Sequence, residues 1–146
     1  MPFLIDGHNL IPKVAGLRLG DVDVELALIG LLQRTGKKVE VYFDNAPPGY
    51  SGTRKYGNVT AVFVRAGGTA DDGIRRRLSR LGRGAKNWTV VSSDREVQAE
   101  ARGVGAKFVL SESFAADIKI KIPTQQDEIN EDRRLSSDEV AEWLEI

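Results

Sequence analysis

Phe3-Leu4-Ile5-Asp6-Gly7-His8-Asn9 begins with three apolar residues in a row and stops them on a carboxylate. A continuous apolar run without alternation reads as a strand buried on both faces, as in a parallel sheet. The same design returns at Val39-Glu40-Val41-Tyr42-Phe43-Asp44, a β-branched and aromatic run that again ends on an acid. Residues 59–64, 88–91 and 108–110 supply three more short strands. Helical patterns separate them. Residues 22–34 carry Val24, Leu28, Leu31 and Leu32 at helical spacing, with Gly36 placed to end the helix. Residues 70–81 carry the stripe Ile74, Leu78 and Leu81 behind Thr69, a natural N-cap. Residues 96–102 make a short helix closed near Gly103 or Gly105. The stretch 45–58, with two prolines and three glycines, reads as a long loop. Strands alternating with helices predict a parallel α/β sheet, folded as a three-layer α/β/α sandwich of about five strands with right-handed crossovers.

Beyond Phe114 the texture changes. Residues 117–134 are polar and charged, although Ile118, Ile120 and Ile122 alternate as an edge strand does. Ser136 or Ser137 then caps a final helix with Val140, Trp143 and Leu144 on one face. That face is expected to dock on the body or on a neighbouring chain. The chain is therefore read as one domain, with a core over 1–116, a polar connector over 117–135 and a docking helix over 136–146.

Composition narrows the chemistry. A length of 146 residues fits a single domain with a real core. There is no cysteine and one histidine, His8, which excludes disulfides, thiolate zinc sites, iron–sulfur clusters and multi-histidine metal sites. No apolar run is long enough for a transmembrane helix, and no basic leader precedes the first strand, so a cytoplasmic, membrane-free protein is expected. The formal net charge is zero, with 21 bases and 21 acids. Eight of those acids lie in residues 127–146, beside only Arg133 and Arg134. Residues 1–126 thus hold 19 bases against 13 acids. The neutral total conceals a basic body and an acidic tail.

The acids of the body are not scattered. Asp6 and Asp44 follow strands directly, Asp71 and Asp72 open the helix after the third strand, and Asp94 lies just past the fourth. A parallel sheet brings all strand carboxyl ends to one edge, where ligands of open α/β sheets bind. Each acid also has a capping reading, as a strand-end turn, a helix-dipole partner or an N-cap. Four at one edge point further, because close carboxylates repel and raise one another's pKa unless a cation offsets them. Oxygen donors suit Mg²⁺ or Mn²⁺, which activate water and polarise phosphoryl oxygens. Asp72 points about 100° away from Asp71 on a helix, so only one of the two need face the site. Motifs for other uses of such a fold are missing. There is no G-x-G-x-x-G, no G-x-x-x-x-G-K-[ST] and no G-x-S-x-G.

The ordered set Asp6-Gly7-His8-Asn9-Leu10-Ile11, Val41-Tyr42-Phe43-Asp44, Thr69-Ala70-Asp71-Asp72-Gly73-Ile74 and Val90-Val91-Ser92-Ser93-Asp94-Arg95-Glu96-Val97-Gln98 resembles the NYN/YacP-like ribonuclease family, a branch of the PIN-like nucleases. The closing segment 135–144, with Glu139 and Trp143, is similar to that family's last helix. The resemblance implies a PIN-like fold with strand order 3-2-1-4-5 and a Mg²⁺- or Mn²⁺-dependent endoribonuclease. It makes Asp6, Asp44, Asp71 and Asp94 the metal-binding acids. It also implies that Asn9 orients an acid or contacts a phosphate, and that Ser93 is a small hydroxyl beside the last acid.

Substrate would need cations and rings. Arg75, Arg76, Arg77, Arg80 and Arg83 follow Asp71 on one helix, and Arg95 adjoins Asp94. Arg54, Lys55 and Tyr56, with Tyr50, combine charge and aromatic surface in the 45–58 loop. His8 lies close enough to Asp6 to stack on, or hydrogen-bond to, a substrate. A solvated basic face and a solvent loop are the plain alternatives for these groups. The leading expectation is an endoribonuclease of single-stranded RNA. The alternatives are a PIN-like RNA- or ribosome-binding module without catalysis, and a small-molecule phosphatase on the same rim.

Overall fold

Strand β1 (Phe3–Asp6) is the axis of the molecule. It pairs in parallel with β2 (Val39–Ala46) on one side and with β5 (Thr89–Val91) on the other. Strand β4 (Val59–Arg65) continues the sheet beyond β2, and β6 (Lys107–Val109) continues it beyond β5, both parallel. The computed structural model describes residues 2–121, so the docking helix expected over 136–146 and most of the connector lie outside the described residues.

The five parallel strands take the expected order. A sixth strand, β3 (Gly52–Tyr56), runs antiparallel to β4 at the sheet edge and gives the full order β3-β4-β2-β1-β5-β6. It lies inside the stretch read as a loop. Its residues Gly-Thr-Arg-Lys-Tyr are polar because an edge strand buries little, so no apolar signal marks it. The turn Gly57-Asn58 closes this hairpin, with Gly57 at φ 64° and the Asn58 amide donating to Lys37 O at 2.7 Å.

Period-two alternation sorts the strands between two cores. Ile5, Val39, Val41, Phe43 and Val91 face helices α2 (Val24–Thr35) and α5 (Ser111–Lys121). Leu4, Tyr42 and Val90 face helices α3 (Ala70–Leu81) and α4 (Arg95–Gly103). This is the three-layer sandwich. The expected boundaries of α3 and its Thr69 cap hold, with the Thr69 hydroxyl accepting from Asp72 N at 3.0 Å. The Ile118 register is different: residues 111–121 form α5, and Ile118 is buried beside Phe114 and Ala115. Alternating isoleucines at 118 and 120 had suggested an edge strand, but a helix already packed through Phe114 and Ala115 continues through them.

Close backbone approach ties the layers together. An added Cβ on Gly7 would sit 2.3 Å from Phe43 Cε1, and one on Gly73 would sit 2.9 Å from Tyr42 Cδ2. Gly7 starts the short helix α1 (Gly7–Leu10) directly after β1, so its lack of a side chain lets the chain turn against Phe43. Gly7→Ala is expected to lower unfolding stability by about 1–3 kcal/mol through overpacking of a buried ring. Urea denaturation measures it, and an unchanged midpoint would contradict this packing.

Candidate active site

Asp6 closes β1 and caps α1, its Oδ1 accepting from Asn9 N at 3.3 Å. The carboxyl is largely withdrawn from water, and that burial pushes its pKa from 3.8 to about 6. The Asn9 N–H works against the shift, while Asp44 and Asp71 add to it. The Asp71 carboxyl is raised as well, first by burial, with Arg75 opposing and Asp94 adding. The four predicted acids are thus linked electrostatically along the carboxyl edge, Asp44 to Asp6, Asp6 to Asp71, and Asp71 to Asp94.

Each acid is held differently. Asp71 lies in the first turn of α3, where Oδ2 meets Arg75 at 3.1 Å. Its Oδ1 is buried with no hydrogen-bond partner. Asp94 caps α4, its Oδ1 accepting from Glu96 N at 2.8 Å. The capping reading therefore holds for Asp6 and Asp94, each of which keeps a second oxygen. Asp72 is half exposed and meets Arg75 at 3.6 Å. Asp44 follows Phe43, where the β2–β4 register shifts and Asn45 takes φ 57°. Its Oδ1 pairs with His8 Nδ1 at 2.7 Å.

His8 is tied to both sides of the Asp44 end of the edge. Its other ring nitrogen, Nε2, meets Glu25 Oε2 at 2.8 Å, so both nitrogens are spent on carboxylates. Burial alone would lower the imidazole pKa, but the hydrogen bonds to Glu25 and Asp44 outweigh it and raise the value. The ring also meets Phe43 edge-on at 5.4 Å. Nothing in the sequence marks Glu25, because an acid in a first helical turn reads as a dipole partner.

Asn9 and Ser93 act as braces. Asn9 Oδ1 accepts from Ser93 N at 2.9 Å and from the Ser111 hydroxyl at 2.6 Å. Ser93 Oγ accepts from Ser111 N at 3.2 Å and donates to Glu112. That bond holds the Glu112 carboxyl below its usual range. The network fastens the end of β1, the β5–α4 turn that carries Asp94, and the start of α5. These contacts give Asn9 and Ser93 a positioning role. Ser111 and Glu112 had no sequence signal.

The basic residues divide too. Arg75 sits among Asp71, Asp72, Glu96 at 3.5 Å and Glu100 at 3.7 Å, so its charge is consumed locally. Arg77 grips Glu40 with two 2.8 Å bonds and lies over Trp88. Arg76, Arg80, Arg83 and Arg95 are exposed. Arg54 and Lys55 are neighbours on β3, so they point to opposite sheet faces. Arg54 joins an aromatic cleft, and Lys55 is exposed on the other side.

Among the described residues, no three His, Cys, Asp or Glu side chains already converge on one point as a closed metal cage does. The donor set still fits a hard divalent cation. Mg²⁺ usually takes one or two carboxylates and completes its shell with water and substrate phosphates. The unpartnered Asp71 Oδ1 and the burdened Asp6 carboxyl are such donors.

Fold and edge together define a PIN-like nuclease scaffold. The YacP-like NYN domain model matches residues 3–145, so the chain belongs to that family, which is a nuclease family. The crystal structure of Rae1 (YacP) from Bacillus subtilis matches with a TM-score of 0.68 at 22% identity, covering 97% of this chain and 85% of that one. A tryptophan-to-leucine mutant of the same protein matches with a TM-score of 0.62 at 22% identity, over 98% and 85%. These likenesses show the fold. No curated protein matches the chain in sequence.

A raised carboxyl pKa means the folded state resists ionisation of Asp6. The stability this group lends is complete below its ordinary 3.8 and is lost as pH rises through about 6. Asp6→Asn keeps a capping oxygen and removes the charge. Its stability at pH 7 is expected to rise by about 2 kcal/mol, less than the full shift because the edge is partly wetted. The gain should vanish below pH 4, as urea unfolding across pH will show; a loss at pH 7 would contradict the assignment.

Proposed function

We propose that this chain is a divalent-metal-dependent endoribonuclease that hydrolyses phosphodiesters of single-stranded RNA. The observation that carries it is the buried, unpartnered Asp71 Oδ1 beside an Asp6 carboxyl lifted by burial and by its acidic neighbours. An edge built this way is strained toward a cation. Asp6 and Asp71 would hold Mg²⁺ or Mn²⁺, with Asp94 and Asp44 flanking them. Such an ion, when bound, supplies a water of lowered pKa and offsets charge on a phosphoryl oxygen.

The chain's own residues do the remainder. The Asn9–Ser93–Ser111 brace fixes the loop that carries Asp94. His8 holds Asp44 in place through the 2.7 Å contact between Nδ1 and Oδ1. The exposed Arg95 at the start of α4 and Arg76 in the middle of α3 attract the RNA backbone. Family membership supports RNA as substrate; the open aromatic cleft beside Asp44 supports an unpaired strand.

Two observations among the described residues favour the second reading, an RNA- or ribosome-binding module without catalysis. Asp44 is already paired with His8, and the acids do not form a closed cage. Cleavage separates the two. Asp71→Asn and Asp6→Asn should each reduce Mn²⁺-dependent cleavage of a long unstructured RNA by about a hundredfold or more, the scale of losing a principal electrostatic group. Folding, checked by circular dichroism, should be retained. Wild-type protein that binds the RNA but leaves it intact at millimolar Mn²⁺ would establish the module instead.

A further inference from the structure

The β3–β4 hairpin forms one wall of a cleft of about 710 Å³ that continues from Asp44 away from the acidic edge. That volume lies within the range of small-ligand sites, roughly 300–1,000 Å³. Its floor is aromatic. Phe43 and Phe63 stack at 5.4 Å with 26° between their planes. The Arg54 guanidinium lies 5.1 Å over the Phe63 ring and 5.5 Å from the Tyr50 ring. A flat, delocalised group is therefore already stacked in this cleft by the chain itself. Tyr50 remains 59% exposed at its mouth.

Charge at the cleft is of the other sign. Arg54 is the one cation among the described lining residues, against Asp23, Glu25 and Asp44. Three carboxylates repel a phosphate but accept hydrogen bonds from N–H groups. Glu25 and Asp44 each have a second carboxylate oxygen besides the one bonded to His8. Stacking surface with acceptor-only edges describes a nucleobase that carries donors.

We propose that this cleft is a subsite for one unpaired, amino-bearing nucleobase of the RNA strand, seated on Tyr50, Arg54 and Phe63 with its amino edge toward Glu25 and Asp44. The proposal rests on the nuclease reading for its location, because Asp44 belongs to both the cleft and the acidic edge. Uracil fits poorly. Its single pairing-edge donor, N3–H, is flanked by two carbonyl oxygens, so engaging it brings those oxygens against the carboxylates and leaves them unpaired. Cytosine presents an amino group on a ring of the same size.

Ten-nucleotide oligo(C), oligo(U) and an abasic backbone of equal length carry the same charge, so their shared phosphate attraction cancels. Fluorescence anisotropy in metal-free buffer, where cleavage does not intervene, reads their affinities. Oligo(C) should bind about tenfold tighter than oligo(U), and oligo(U) no worse than the abasic strand, on the scale of one stacked base. Tyr50→Ala, at an exposed position, should weaken oligo(C) about tenfold and leave the abasic strand unchanged. Arg54→Ala should shrink the difference between oligo(C) and the abasic strand. Equal wild-type binding of all three probes, or an equal loss for all three in Tyr50→Ala, overturns the subsite. Base-dependent binding without any metal-dependent cleavage overturns the nuclease reading alone. Cleavage by a protein that binds the three probes alike overturns the subsite alone.

Discussion

Asp6 ends the central strand with a carboxylate that the fold takes out of water, and its two neighbours along the edge are also acids. A buried carboxyl with a pKa near 6 is a standing cost to the folded state at neutral pH. The surrounding structure offsets only part of it. Asn9 N–H caps one oxygen, and His8 acts on Asp6 only through space while its Nδ1 bonds Asp44. Asp71 is in the same position, with one oxygen on Arg75 and the other unpartnered. A protein that keeps such an edge does so against its own stability, a cost characteristic of functional sites.

The rest of the molecule serves to hold that edge still. The switch in strand order falls between β1 and β5, the point at which Asp6 and Asp94 emerge. Asn9 bridges this gap by bonding Ser93 and Ser111 at once. Arg77 and Glu40 join α3 to β2 beneath it, with the Tyr42 hydroxyl donating to Glu40 at 3.1 Å. Gly7 and Gly73 let backbone press onto Phe43 and Tyr42, so the segments bearing Asp6 and Asp71 seat directly on the sheet. These are contacts between helices and strands, suited to keeping carboxylates in place.

Much of this was legible in the sequence, for identifiable reasons. Short, nearly continuous apolar runs gave β1, β2 and β4, helical apolar spacing gave α3, and strands that end on aspartate gave the acidic edge. What escaped was set by partners distant in sequence. Strand β3 has no apolar face to announce it. The positions of Ser111 and Glu112 matter only because α5 returns to β5, and Glu25 matters only because α2 passes His8. Arg75 looked available for phosphate because four surrounding acids are spread over two helices. Lys55 looked equivalent to Arg54 because a loop has no faces and a strand has two. The zero net charge also acquires a local meaning: acids gather at the edge and cleft, while Arg76, Arg80, Arg83 and Arg95 stay on exposed helix surfaces.

On the proposed function, a divalent cation at Asp71 and Asp6 completes the acidic edge. Anomalous diffraction from a crystal soaked in millimolar Mn²⁺ tests it without reference to any substrate. A manganese peak is expected at bonding distance from Asp71 Oδ1, shared with the Asp6 carboxylate directly or through one water. A well-ordered edge with no anomalous peak, or a peak only at the acids outside it, would contradict the account.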